Sequence, residues 1–201
     1  MIDENENLSV REKEKTFSEQ PVGKKESWLD VVKFVLIVAA IVFPIRMFIA
    51  QPFLVSGPSM IPTFQDKNYL IVDEISKRFT HPQRGEIVIF RRAGESKYLI
   101  KRIIGLPGDT LTLEGEKITV TNAENPKGFV FEQPFVVNNR SESKTTVILD
   151  GADYYVLGDN RPVSYDSRYF GPIPESAIIG RPVVRLYPFG NIEMFPGDDT
   201  K

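Results

Sequence analysis

From Trp28 the chain turns abruptly apolar. Trp28, Leu29, Val31 and Val32 lead into an unbroken run, Phe34–Phe43, followed by Pro44, Ile45, Arg46, Met47, Phe48, Ile49 and Ala50. At helical spacing both faces of this stretch are apolar, which a helix with one face in water does not show. Val31 to Ala50 reaches the about 20 residues of a membrane span only by admitting Lys33 and Arg46, whose long stems let their charges reach headgroups. A buried core helix and a cleaved secretory signal are the other readings of such a run. Against cleavage, Pro52, Phe53, Leu54 and Val55 follow with no small-x-small site close behind. The pattern predicts one uncleaved transmembrane helix over 28–50.

Beyond residue 50 the period changes. Tyr69–Val72, Glu86–Phe90, Tyr98–Ile104, Ile118–Val120, Thr145–Leu149, Tyr154–Leu157 and Ile179–Leu186 read as strands bounded by turn residues. The stretch 110–151 is more polar and irregular, with Gly115, Asn122, Asn125-Pro126 and Asn138-Asn139, and is expected to be an inserted β subdomain. The main β domain then takes 51–109 and 152–195, and 196–201 is expected to fray. Gly171-Pro172-Ile173-Pro174 marks an exposed turn, with Pro174 opening one helical turn. Residues 1–27 are polar and charge-mixed, and are expected to be a disordered tail. Lys24, Lys25 and Lys33 flank the N-terminal edge of the apolar run, against Arg46 alone at the other. The positive-inside tendency therefore keeps the tail cytoplasmic and exports the body.

Composition narrows the chemistry. With 41% hydrophobic residues in 201, the chain has enough apolar surface for a real core, and its aromatics, prolines and glycines favour short strands over long soluble helices. The absence of cysteine excludes disulfides, thiolate metal sites and a cysteine nucleophile. His81 is the single histidine and sits beside Pro82 in a turn-like segment, which argues against a histidine metal site or a Ser-His-Asp triad. A net charge of -2, with basic residues spread among acidic ones, gives no nucleic-acid footprint.

Three polar segments interrupt the apolar pattern. Ser56-Gly57-Pro58-Ser59-Met60-Ile61-Pro62-Thr63 is a turn in which Gly57 permits unusual dihedrals and two prolines stiffen the chain on either side of Ser59. In Tyr98–Ile104, Lys101 and Arg102 break an apolar strand, so one of them must face its less exposed side. Either the strand is an edge with protective charges, or it holds a desolvated lysine whose free amine accepts a proton near neutral pH. The segment from Gly158 to Arg168 is either a solvated loop or a fixed network. In the network Asp166 pairs with Arg168 and a neighbouring hydroxyl orients the base.

In order and wording these segments resemble the bacterial type I signal peptidases, or leader peptidases. The likeness takes in the N-terminal span, Ser59–Thr63, Arg84-Gly85-Glu86-Ile87-Val88, Lys101–Asp109 and Gly158–Gly171. It implies a mostly β, signal-peptidase-like catalytic domain with an inserted β subdomain, preceded by one transmembrane helix, and a serine–lysine dyad that cuts signal peptides from exported preproteins. Ser59 matches the nucleophile and Lys101 the general base. Ser164 matches the serine that hydrogen-bonds the lysine amine, and Asp166 and Arg168 the supporting ion pair. Asp159 and Asn160 are expected to shape the same neighbourhood, and Val55, Ser56, Gly57 and Met60 to form the substrate-binding stretch beside the nucleophile. Arg102, which stays protonated, is expected to be structural. Some members carry a serine two positions before the nucleophile whose hydroxyl assists the oxyanion. Gly57 stands there, which leaves the oxyanion to backbone N–H groups, that of Ser59 above all.

The resemblance implies no metal and no organic cofactor. Its expected partners are preproteins and membrane lipid, not nucleic acid. The expected location is the inner (plasma) membrane, single-pass with a cytoplasmic N-terminus and an extracytoplasmic body, with a thylakoid membrane as the alternative. Two other readings stand beside it: a self-cleaving serine–lysine protease, and a non-catalytic anchored β domain that binds exported proteins.

Overall fold

The computed structural model describes residues 28–44, 50–136 and 144–198. The chain forms two units that meet in sequence at Phe43 and Pro44. The expected tail 1–27, Arg46 and Asn138-Asn139 lie outside the described residues.

The first unit carries helix α1, Trp28–Pro44, of 17 residues. Among the described residues no helix is long and apolar enough to cross a membrane, and the last position of the expected 28–50 span is not helical. Ala50 opens strand β1 (Ala50–Leu54) instead. Pro52 supplies a reason, because its ring and missing N–H oppose a helix interior but are tolerated on an edge strand. β1 is that edge, paired only with β2 (Tyr69–Asp73).

The second unit is mostly β. After β2 come β3 (Ile87–Phe90), β4 (Leu99–Gly105), β5 (Thr110–Glu114), β6 (Lys117–Thr121), β7 (Phe129–Val130) and β8 (Lys144–Ile148). Then follow β9 (Asp153–Leu157), α2 (Ser167–Phe170), β10 (Ile173–Pro174), β11 (Ile178–Tyr187) and β12 (Glu193–Met194). Each of the seven runs read from the pattern forms a strand within one residue of its expected bounds. The large sheet runs β1-β2-β11-β3-β4-β9-β10, with β12 on β11, and the four strands β7-β6-β5-β8 make a smaller one. Pro174 precedes a 3-10 turn, Glu175–Ala177, rather than opening it.

β4 lies between β3 and β9, not at an edge, and both of its faces are covered. Ile103 packs with Val88, Phe90, Tyr154 and Val156 on one side. Ile104 joins Leu111, Ile118, Val120, Leu149 and Leu157, so the smaller sheet shares a core with the larger one. A third cluster, Val55, Met60, Phe64, Leu70 and Ile87, lies under the turn that carries Ser59. The C-terminal segment is not frayed over 196–198. Phe195 N–H donates to the Val183 carbonyl at 2.8 Å, and the Gly197 carbonyl accepts from Arg102 at 2.7 Å. Residues 199–201 lie outside the described residues.

Candidate functional site

The turn bearing Ser59 is built from its own backbone and anchored from below. Ile61 N–H donates to the Pro58 carbonyl and Phe64 N–H to that of Met60, while Gly57, at φ 93°, donates its N–H to Asp66. Met60 is fully buried in the cluster below. Its expected place in a substrate-binding surface is therefore corrected: it supports the turn from beneath and presents nothing to a peptide. Val55 is also buried, with Ser56 and Pro58 exposed and Gly57 and Ser59 half-exposed, so the reachable atoms of the stretch belong to residues 56–59.

A second segment grips this turn from the other side. Asn160 donates its backbone N–H to the Ser59 carbonyl at 3.0 Å and its Nδ2 to the Pro58 carbonyl at 3.1 Å. Thr63 Oγ1 donates to Asp159 Oδ2 at 2.5 Å. Gly158 has to be glycine here, because a Cβ would lie 2.5 Å from the Ser59 carbonyl oxygen and 2.2 Å from Ser164 Oγ. The sequence segment containing Gly158 was singled out, but the close approach that requires glycine joins positions about a hundred residues apart and leaves no local trace.

Lys101 reaches the turn from β4. Its Nζ lies 2.8 Å from Ser59 Oγ and 2.9 Å from the Ile100 carbonyl, and the residue is 3% exposed. Burial lowers its pKa to about 8, against a smaller opposing pull from the carboxylates of Asp166 and Asp159. A lysine at 10.4 leaves about one amine in 2,500 free at pH 7; one at 8 leaves about one in ten. The arrangement is a hydroxyl beside an amine that loses its proton near neutrality, which is what nucleophilic attack by serine requires.

Asp166, fully buried, caps α2 and pairs with Arg168 through two bonds, Nε to Oδ1 at 2.8 Å and Nη2 to Oδ2 at 2.9 Å. It also accepts the Gly158 N–H at 3.1 Å, so the ion pair holds the segment that grips the Ser59 turn. The bond expected between Ser164 and the lysine amine is not formed. Ser164 is buried, but its hydroxyl has no hydrogen-bond partner among the described residues, because the amine points at Ser59 and the Ile100 carbonyl instead.

Four further residues escaped the sequence. Arg161 is buried, donating Nε to the Gly158 carbonyl at 2.9 Å and Nη2 to Gln133 Oε1 at 2.5 Å, and burial pulls its pKa down to about 10. Ser167 Oγ accepts the Val156 N–H, and the Phe135 ring lies 3.7 Å from the Arg102 guanidinium carbon. Gln133 and Phe135 lie in the polar stretch read as irregular, where composition carries no signal of a role.

Comparison with known proteins places this chain in a family. The family model described as signal peptidase, peptidase S26, matches residues 28–187. A probable signal peptidase I-2 of Synechocystis sp. is 33% identical over 195 residues, covering 94% of this chain and 85% of its own. Signal peptidase I U of Bacillus subtilis is 33% identical over 172 residues, covering 81% and 89%, and signal peptidase I V of the same organism is 35% identical over 171, covering 78% and 96%. The chain belongs to the signal peptidase family, peptidase S26, and is an enzyme of its type I class.

Proposed function

We propose that this enzyme removes N-terminal signal peptides from exported preproteins with Ser59 as nucleophile and Lys101 as general base. The observation that carries this reading is the 2.8 Å pair of Ser59 Oγ and a buried Lys101 Nζ with a lowered pKa. Neutral Lys101 takes the Ser59 proton as Oγ bonds to the carbonyl carbon at the cleavage site. The resulting oxyanion is held by backbone N–H groups, that of Ser59 among them. The protonated lysine then gives its proton to the departing amine as the C–N bond breaks, and water activated by the same lysine hydrolyses the acyl-enzyme. Asp166, Arg168, Asp159 and Asn160 hold the two partners in place. The preprotein lies extended along the edge strand β1 that leads to Ser59, using backbone bonds common to many sequences, with small residues one and three positions before the cut.

The same reading makes the enzyme membrane-bound and single-pass. It is supported by α1, whose residues 28–42 are exposed within their unit although nearly all are apolar. At 17 residues α1 is about 25 Å long, against a hydrocarbon core of about 30 Å. The tail 1–27 is cytoplasmic, the catalytic domain takes 51–109 and 152–195, and 110–151 is the inserted subdomain. Leu54, Ile61 and Tyr98 are exposed apolar residues near the dyad, and Phe53 packs edge-on against Tyr98 at 5.1 Å, a surface suited to the lipid interface. Nucleic acid has no place in the reading.

The test uses the full chain in detergent with a purified preprotein and an acylating peptide analogue. Cleavage at the signal-peptide junction, with the analogue recovered on Ser59, is the expected result. Cleavage that survives Ser59→Ala overturns it, and an enzyme that cuts only its own chain favours the self-cleaving alternative. Protease added outside spheroplasts should digest the body and spare the tail; protection of the body reverses the topology.

A further inference from the structure

Arg102 is 1% exposed and donates to three separate parts of the chain besides Asp159. Its Nε and Nη2 bind Asp159 Oδ1 and Oδ2 at 3.0 and 2.8 Å, and Nη1 binds the carbonyls of Gly85 at 2.8 Å and Gly197 at 2.7 Å. Nη2 also lies 3.4 Å from Thr63 Oγ1, and the Phe135 ring covers the guanidinium. Gly197 comes from a short C-terminal strap, Phe195–Asp198, tied to β11 by Phe195 and closed on itself by the Asp198 N–H to the Phe195 carbonyl.

The strap fits this place closely. Gly197 sits at φ 76°, and a Cβ there would lie 2.5 Å from both Ile87 Cδ1 and Thr63 Cγ2. It therefore touches the nucleophile turn through Thr63 and the base strand through Arg102, the neighbour of Lys101. We propose that the strap Phe195–Asp198 is a positioning element of the catalytic site: its Gly197 carbonyl locks the Arg102–Asp159 pair and so holds the Ser59 turn and the Lys101 strand in register. The proposal rests on the serine–lysine reading.

The locked pair also shapes the charge around Lys101. Asp166 and Asp159 are the carboxylates whose pull favours the ammonium, Arg168 pairs Asp166, and Arg161 is buried nearby. Arg102 neutralises Asp159 only while its fork is held square to the carboxylate. A loosened fork leaves Asp159 less compensated, which keeps the proton on Lys101.

The experiment measures kcat/KM for a preprotein against pH with the full chain in detergent, and compares a chain shortened to end at Met194, Gly197→Val and Lys101→Met. The strap variants are expected to lose about a hundredfold in rate per folded molecule and to move the acid limb of the profile to higher pH. Should the shortened chain not fold, Gly197→Val, which keeps chain length, carries the same comparison. Strap variants whose rate per folded molecule and acid limb match the wild type overturn the proposal while Lys101→Met is inactive. A Lys101→Met chain that still cleaves removes the dyad reading, and the strap's role with it.

Discussion

Lys101 and Arg102 are consecutive residues of the central strand β4, both cationic and both buried, yet the two faces of the strand treat them in opposite ways. Around Lys101 there is one hydroxyl and one backbone carbonyl, and among the described residues no carboxylate bonds its amine. Around Arg102 there are both oxygens of Asp159, two backbone carbonyls and an aromatic ring. Burial without an anion disfavours charge and yields an amine that titrates near pH 8. Burial with a complete set of acceptors keeps the charge and turns it into a brace. Guanidinium suits the second task because its planar fork meets a carboxylate with two parallel bonds, and amine suits the first because it gives up its proton.

The largest effect should come from removing the amine. Lys101→Met keeps length and apolar volume, so the fold survives, while acylation of Ser59 is expected to fall by about a thousandfold or more. Lys101→Arg should fail almost as badly, because guanidinium does not act as a base. Acylation rates followed by mass, with circular dichroism to show both chains folded, decide this; a folded methionine variant at the wild-type rate removes Lys101 from the mechanism.

On the other face the contrast predicts a loss of fold before a loss of chemistry. Asp159→Asn leaves Arg102 buried without its anion, which typically costs about 3–5 kcal/mol. Denaturant unfolding measures it, and a cost under about 1 kcal/mol would put the pair in the class of exposed salt bridges. Removing the Asp159 charge also takes away one pull toward the ammonium, so the acid limb should move to lower pH, opposite in sign to the strap variants.

The segments that bear this contrast stand out locally in the sequence, whereas the roles of Ser59, Lys101 and Arg102 were expected from the family resemblance. Ser59 and Lys101 lie in short motifs whose polar residues break apolar runs, and the seven strand runs declare themselves as β-branched and aromatic stretches bounded by turn residues. What escaped depends on contacts between distant positions. β5, Thr110–Glu114, alternates cleanly as Thr-Leu-Thr-Leu-Glu but was absorbed into a polar stretch judged irregular as a whole. Gly158 and Gly197 are glycines because other segments press on them, and Phe135 covers Arg102 from a region with no pattern of its own. The span was read past its described end because apolar content runs on to Ala50, and Pro52 was not weighed as the mark of an edge strand.

Burial of Lys101 also has a price in stability that pH should reveal. Its pKa is about 8 in the folded chain against an ordinary lysine value of 10.5, so between those two values the unfolded chain binds more protons than the folded one. Stability therefore rises with pH across that window, and below about pH 8 the penalty is fully present, on the order of 3 kcal/mol. Lys101→Met should be the more stable chain at pH 7, and the difference should shrink as pH approaches 10.5. Parallel stability curves for the two chains from pH 7 to 10 would mean that the lysine is solvated in the folded state.

The smallest effect expected is at Ser164, where the contrast between satisfied and unsatisfied burial reaches a neutral group. Its hydroxyl is enclosed with no partner, so the folded state already carries the cost of desolvating it, about 1–3 kcal/mol for such a group. Ser164→Ala removes that hydroxyl without breaking a bond, and the methyl that remains keeps the packing against Gly158. The variant should unfold at the same denaturant concentration as the wild type or a slightly higher one, a gain of at most about 1 kcal/mol. A loss of about 1 kcal/mol or more would mean that Ser164 does hold a bond in the folded enzyme, with the Lys101 amine as the nearest group the family resemblance offers for it. The unfolding midpoint of this one variant thus decides whether the amine is oriented by Ser59 and the Ile100 carbonyl alone or by a third group as well.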